Sequence, residues 1–189
     1  MKLSNRKITA ITSAVLAVVL MSSAIALLAP SNKGELLDQS GHREGRGESG
    51  LVFIDPSLTA LAGELSGTAE SQAVAKAAFD QVNQQRAAAG LKGLSWSNGL
   101  EQASDVRAVE ASEVWSHSRP DGSDYWTVNS SIVYGENLAK GFNTAEEAVD
   151  AWMNSISHRD NILFPDYKTG AIAIHIKDGQ WYWANEFGY

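Results

Sequence analysis

Three segments of the chain repeat their hydrophobic residues with the period of an α-helix. The first covers residues 70–89 and carries a single stripe of side chains, formed by Phe79, Val82, Asn83 and Arg86. The second begins near Ser97 or Asn98, both good N-cap residues, and one of its sides holds Leu100, Ala103, Arg107, Ala108 and Ala111. The third begins at a capping box, Thr144 with Glu147, and has one apolar face, formed by Ala148, Val149, Trp152, Met153 and Ile156. We expect Trp152 to anchor this third helix in the core.

The end of the chain alternates with the period of a β-strand instead. Residues 171–176 place three isoleucines on one side, residues 177–180 form a turn, and the following residues return the chain. Because successive side chains point to opposite faces of a strand, Trp181 and Trp183 should share one face and Tyr182 the other. Helices followed by a terminal β-hairpin predict an α+β fold or an α-β-α sandwich.

The first 30 residues have the pattern of an export segment. Lys2, Arg6 and Lys7 precede residues 8–29, which contain no charged side chain. As a helix this run would be about 33 Å long, close to the roughly 30 Å of the bilayer hydrocarbon, and residues 24–26 offer a small-residue cleavage site. Residues 1–30 are therefore interpreted as a signal peptide or a signal anchor. The basic start puts the rest of the chain outside the cytoplasm, either secreted or held at the membrane by residues 8–29.

A different composition marks residues 31–69, which we interpret as a flexible linker. The run at 40–47 is polar and rich in glycine. One short apolar stretch, residues 51–54, could dock as a strand or remain an apolar patch in a spacer. All six Trp and all five Tyr lie beyond residue 95, so we expect the folded domain to occupy residues 70–189.

Charge and cysteine content exclude several classes of protein. The chain has 15 Lys and Arg against 22 Asp and Glu, a formal charge of −7. This acidity argues against a general nucleic-acid binder, which needs a basic face. The sequence has no cysteine, which excludes a disulfide framework, thiolate catalysis and cysteine-ligated zinc.

Histidines are the main candidates for chemistry. His117 lies in the loop before the Pro120 turn, and His158 lies just after the third helix. His42 lacks an apolar or acidic cluster and His175 is expected to be half-exposed on a strand, so neither is a candidate. One acid, Glu136, stands between the two candidate histidines. No HExxH or other local metal motif is present, so spacing alone does not define a site.

The order of the motifs is more specific than any one of them. They are Asn83-x-x-Arg86, Leu94-Ser95-Trp96, His117 with Arg119-Pro120-Asp121-Gly122, Gly135-Glu136-Asn137-Leu138-Ala139, Trp152-Met153-x-Ser155-x-x-His158-Arg159-x-Asn161-Ile162-Leu163, and Phe187-Gly188. In this order they resemble the bacterial branch of the CAP superfamily, which comprises the cysteine-rich secretory proteins, antigen 5 and pathogenesis-related 1 proteins and is also called the SCP domain. The resemblance covers roughly residues 72–189.

This resemblance implies a fold and a cleft. The fold would be an α-β-α sandwich, with His117 and His158 lining the cleft and Glu136 beside them. In relatives the two histidines can hold a divalent metal such as zinc. Many eukaryotic relatives add a second glutamate, at the position that is Ser155 here. The full set of two His and two Glu is therefore absent, and any metal would have fewer protein ligands.

Alternative functions remain open at this level. The first is an exported binding module whose cleft takes an extracellular ligand or a component of the cell envelope, with or without metal. The second is a hydrolase, either metal-assisted through His117, Glu136 and His158, or serine-based. The serine version would use Ser155 with His158, but no nucleophile elbow or oxyanion hole is evident. The third is an envelope-tethered scaffold whose cleft has no remaining role.

Overall fold

The computed structural model describes residues 34–38 and 68–189 of the chain, and these residues belong to one compact unit. Within them are four α-helices, a short 3₁₀ helix and five β-strands. In chain order the elements are β1 (Glu35–Leu36), α1 (Ala69–Ala88), β2 (Ser95–Trp96), α2 (Asn98–Glu113), the 3₁₀ helix (Tyr125–Val128), β3 (Gly135–Lys140), α3 (Ala145–Asn154), α4 (Ile156–Ile162), β4 (Thr169–Lys177) and β5 (Gln180–Gly188). No helix among the described residues is long and apolar enough to cross a membrane.

The sheet has the strand order β1-β3-β5-β4-β2. β4 and β5 are the predicted terminal hairpin, and β3 and β1 extend it on one side with antiparallel pairing. At the other edge β2 pairs with β4 in parallel. Asp178 and Gly179 join the hairpin with φ angles of 52° and 78°, which is the backbone of a type I′ turn.

Helices cover both faces of this sheet. The face under α2 is packed by small and aliphatic residues, namely Leu100, Ala103, Ala108, Ala111, Leu138, Ala171 and Ala184. The face under α1 and α3 holds the larger core, which includes Phe79, Val82, Val149, Trp152, Ile172, Ile174 and Trp183. This arrangement is an α-β-α sandwich and confirms the predicted fold class. Trp181 packs against the same core as Trp183, whereas Tyr182 contacts Trp115 on the other face, as the strand period predicted.

Side-chain caps start the predicted helices where the sequence places them. Ser97 accepts a hydrogen bond from the amide of Leu100 at the start of α2. Thr144 accepts one from the amide of Glu147 at the start of α3. The carboxylate of Glu147 reaches back to the amide of Asn143, one residue before the position that a capping box uses.

The helix containing Trp152 ends earlier than the apolar pattern predicts. α3 stops at Asn154, Ser155 is extended with φ −94° and ψ 129°, and α4 begins at Ile156. The prediction that Ile156 belongs to the buried face is therefore wrong, and its side chain is 70% exposed. For the same reason Ser155 and His158 do not share one face of a continuous helix.

The segment interpreted as a flexible linker also differs from its expectation in one part. Residues 34–38 include β1, in which Glu35 pairs with Lys140 and Leu36 with Ala139 of β3. A strand of two residues has no periodicity that a sequence pattern could detect. The export segment, His42 and the apolar run at 51–54 lie outside the described residues.

Two polar residues of α1 hold the loops around the sheet. Asn83 bonds to both the amide and the carbonyl of Leu94. Arg86 is buried, and its guanidinium donates to four backbone carbonyls, those of Lys92, Ile162, Phe164 and Tyr167. These contacts fix the end of α4, and with it the helix that carries His158.

Replacing Trp152 by alanine should lower the free energy of unfolding by about 3–5 kcal/mol, because its side chain is fully buried. The indole also donates from Nε1 to the Leu138 carbonyl at 3.3 Å. Urea denaturation measures the change. The control is Ile156→Ala, which should change stability by no more than about 0.5 kcal/mol since the side chain faces solvent. Equal losses in the two variants would contradict the assignment of helix faces.

Candidate functional site

The predicted cleft residues come from three parts of the fold. His117 lies in the loop after α2, Glu136 is the second residue of β3, and His158 is in α4. The structure joins them in two pairs: His117 Nδ1 is 2.7 Å from Glu136 Oε1, and His158 Nδ1 is 2.7 Å from Ser155 Oγ. The backbone carbonyl of Leu37, just after β1, lies next to both imidazoles.

Glu136 is completely buried and uses both of its oxygens. Arg107 donates from Nε to Oε2 at 2.6 Å and from Nη2 to Oε1 at 3.2 Å. His117 donates from Nδ1 to Oε1, because an ionised carboxylate can only accept. Burial alone would raise the pKa of Glu136, but the hydrogen bond from His117 and the charge of Arg107 outweigh it and lower the pKa.

Arg107 connects this carboxylate to the loop that carries His117. Its side chain is buried in α2 and also donates to Glu110 at 2.6 Å and to the Ser116 carbonyl at 2.9 Å. Burial would lower the pKa of Arg107, but the charge and hydrogen bonds of Glu136 raise it instead. Glu110 in turn holds Arg119 at 2.7 Å. The position of His117 is therefore set from both its side chain and its backbone.

A second buried carboxyl group lies directly beside the first. Glu186 of β5 is the cross-strand partner of Glu136, and it too is fully buried. Burial and the charge of Glu136 raise the pKa of Glu186 well above its usual value. No donor from another described residue reaches its oxygens, so its own proton is the hydrogen that it can offer to Glu136. The pair of carboxyl groups then carries one negative charge, which Arg107 balances.

His158 is held in a similar way but with neutral partners. Its carbonyl accepts from Asn137 Nδ2 at 3.0 Å, and Asn161 bonds to the side chain of Asn137 and the carbonyl of Glu136. These amides fasten α4 to β3. Nδ1 faces Ser155, while Nε2 is buried and has no hydrogen bond of acceptable geometry among the described residues. Burial lowers the pKa of His158.

The sequence interpretation missed Arg107, Glu186 and the carbonyl of Leu37. Arg107 had a detectable signal, because a charge in the small-residue stripe of a helix is rarely buried unless it is paired. No sequence pattern indicated Glu186, since only the register of β3 and β5 places it beside Glu136. The carbonyl of Leu37 lies in the cleft because β1 pairs with β3, and a strand as short as β1 cannot be predicted from the sequence.

A metal ion in this cleft would depend on the two imidazoles. The described residues contain no cluster of three or more metal-binding side chains, and both oxygens of Glu136 are already engaged. In a metal site this carboxylate would orient the ligand histidine through Nδ1. The two atoms suited to a divalent ion are Nε2 of His117 and Nε2 of His158, the second of which is buried and has no hydrogen-bond partner in the part of the chain that the structure describes.

Comparison with known proteins agrees with this architecture. The family model described as CAP, cysteine-rich secretory protein family, matches residues 79–187. The uncharacterized protein YkwD of Bacillus subtilis (strain 168) is 35% identical over 109 residues, 54% of this chain and 42% of that protein. The chain thus spans less than half the length of this relative.

Two solved structures share the fold. An outer surface protein from Borrelia burgdorferi matches with a TM-score of 0.58 and 19% identity, over 65% of this chain and 97% of that one. An extracellular protein containing a SCP domain from Bacillus anthracis str. Ames matches with a TM-score of 0.55 and 20% identity, over 63% of this chain and 41% of that one.

Replacing Glu186 by glutamine should flatten the dependence of stability on pH. Because its pKa is raised in the folded state, Glu186 stabilises the fold at low pH, and this contribution is lost as pH rises above the unfolded value of 4.5. The urea midpoint of the wild type should therefore fall more between pH 5 and pH 8 than that of Glu186→Gln.

The control for this experiment is Asp80→Asn, an exposed position on α1, which should keep the wild-type slope. Asp105 also has a raised pKa, about 6, because of burial and the nearby charge of Glu101. The stability of Glu186→Gln should therefore still fall somewhat as pH rises. Identical pH profiles for the wild type and Glu186→Gln would contradict a protonated Glu186.

Proposed function

Because the chain belongs to the cysteine-rich secretory protein (CAP) family, we propose that it is an extracytoplasmic binding module whose cleft receives its ligand at His117 and His158. The observation that carries this proposal is the orientation of the two imidazoles. Each ring uses Nδ1 to contact a side chain of the domain, and the backbone carbonyl of Leu37 lies beside both rings, 3.2 Å from His117 Nε2. Two nitrogens prepared in this way suit recognition of one polar group of a ligand.

Support for an extracytoplasmic location comes from the N-terminal sequence and from relatives. Basic residues followed by the uncharged residues 8–29 are typical of an export signal. The two solved structures with the same fold are described as an outer surface protein and an extracellular protein. The ligand would then be a molecule of the envelope or of the surroundings.

We propose in addition that a divalent metal such as zinc can occupy the same place. His117 and His158 would hold it through Nε2, while Glu136 and Ser155 keep the rings oriented through Nδ1. When bound, such an ion supplies a Lewis acid with open coordination positions. With two protein ligands instead of the three or four of dedicated zinc sites, binding would be weak.

Hydrolysis is the second candidate, and the 2.7 Å contact between Ser155 Oγ and His158 Nδ1 is the observation in its favour. A serine nucleophile also needs an acid on the other imidazole nitrogen to orient the base. His158 Nε2 has no such acid among the described residues. Glu136 is a poor general base, because Arg107 and His117 lower its pKa and occupy both oxygens. The geometry thus favours binding over catalysis.

Zinc titration by calorimetry, on the full-length protein in detergent, tests the paired histidines. His117→Ala and His158→Ala should each weaken zinc binding at least tenfold, because removal of even a supporting partner typically costs 10–100-fold in affinity. His175→Ala is the matched control, since that histidine lies on β4 away from the cleft, and it should bind like the wild type. If the wild type and His117→Ala bind zinc identically, the two histidines do not form a shared site.

A further inference from the structure

The cleft described above already contains a ligand-like segment of the same chain. Residues 34–38 run along the free edge of β3, with Glu35 opposite Lys140 and Leu36 opposite Ala139. The chain then passes Leu37, whose carbonyl lies 3.2 Å from His117 Nε2. This is the geometry of β-strand addition, in which an extended peptide pairs with a sheet edge and side-chain pockets give specificity.

Each residue of this segment contacts a different group of the domain. Gly34 lies against the ring of Phe142, where an added Cβ would overlap the ring. Glu35 accepts from Trp115 Nε1 at 3.0 Å and pairs with Lys140 Nζ at 3.0 Å. Leu36 packs on the large core, and Leu37 packs on the cluster under α2. Asp38 accepts from Ser157 Oγ at 2.7 Å.

These contacts match one pattern of side chains in an extended peptide. A small residue is followed by an acid, two aliphatic residues and a second acid, and every side chain after the glycine meets a group of matching chemistry. The central carbonyl, that of Leu37, adds a main-chain contact at His117.

We propose that the cleft is a receptor for an extended acidic peptide, and that residues 34–38 are a copy of this ligand carried in the same chain. The proposal rests on the proposed function and names the class of its ligand. The internal copy occupies the site in cis, so an external peptide must displace it. A covalently attached segment is an intramolecular competitor with its own effective concentration. The unmodified protein should therefore bind the external peptide much more weakly than a protein whose own segment is released.

The test uses a fluorescent synthetic peptide with the sequence of residues 32–40, titrated into the full-length protein in detergent and followed by anisotropy. Release of the internal copy is achieved by replacing Leu36 and Leu37 by asparagine. This released variant should bind the peptide at least tenfold more tightly than the wild type. A peptide carrying the same two asparagines is the control and should not bind.

Dependence on the cleft is tested in the released background. Adding Ser157→Ala should weaken peptide binding about fivefold, the factor expected for loss of one hydrogen bond of about 1 kcal/mol. Adding His117→Ala should also weaken it when the ring carries both protons, because Nε2 can then donate to the peptide carbonyl while Nδ1 donates to Glu136. Adding His175→Ala should leave it unchanged. If the double asparagine variant does not fold, Gly34→Ala is the substitute, because it opposes docking at Phe142 without removing an apolar side chain. Its affinity should lie between those of the wild type and a fully released site.

The outcomes separate this inference from the proposed function. If neither release variant binds the peptide while zinc binding still depends on His117, the peptide inference is wrong and the binding module stands. If no release variant binds the peptide and zinc binding does not depend on His117, both the peptide inference and the proposed binding module are wrong. A wild type that is a concentration-dependent dimer, and that the peptide converts to monomers, would overturn occupation in cis, because the segment would then come from a second copy.

Discussion

The buried ion pair between Arg107 and Glu136 is the interaction on which the cleft depends. Removing two charges from water costs several kcal/mol per ion, and only close, fully hydrogen-bonded geometry offsets it. Here the carboxylate receives two bonds from Arg107 and one from His117, and burial together with the charge of Glu136 raises the pKa of the neighbouring Glu186. Because Arg107 also holds the carbonyl of Ser116, one guanidinium fixes the ring and the loop of His117 together.

Local sequence patterns predicted the helices and strands. The contacts between these elements depend on how the strands pair in the folded sheet. The helices around Phe79 and Trp152 and the terminal hairpin followed from periods of 3.6 and 2, which depend on neighbours in sequence. His117, Glu136 and His158 followed from motif order. Glu186 could not be found in this way, because its role arises from its place opposite Glu136. The break at Ser155 was missed because the apolar period continues through it.

The same preorganisation explains why binding is the favoured role of the site. Imidazoles fixed through Nδ1 keep one nitrogen each for a ligand, and a carboxylate satisfied by Arg107 is neither a base nor a free metal ligand. The edge of β3 beside them offers main-chain hydrogen bonds. Residues 34–38 use the edge and the histidines at once, so the cleft and the strand edge act as one surface. The proposed ligand, an extended peptide, would satisfy both parts.

A double-mutant cycle between Arg107 and Glu136 tests most directly whether this pair organises the site. The free energies of unfolding of Arg107→Met, Glu136→Gln and the double variant would be measured by urea denaturation against the wild type. Each single change should cost about 3–5 kcal/mol, because it leaves a buried group without its partner. The double variant should lose about 2–3 kcal/mol less than the sum of the two single losses. Additive losses, within about 0.5 kcal/mol, would contradict the central role of the pair.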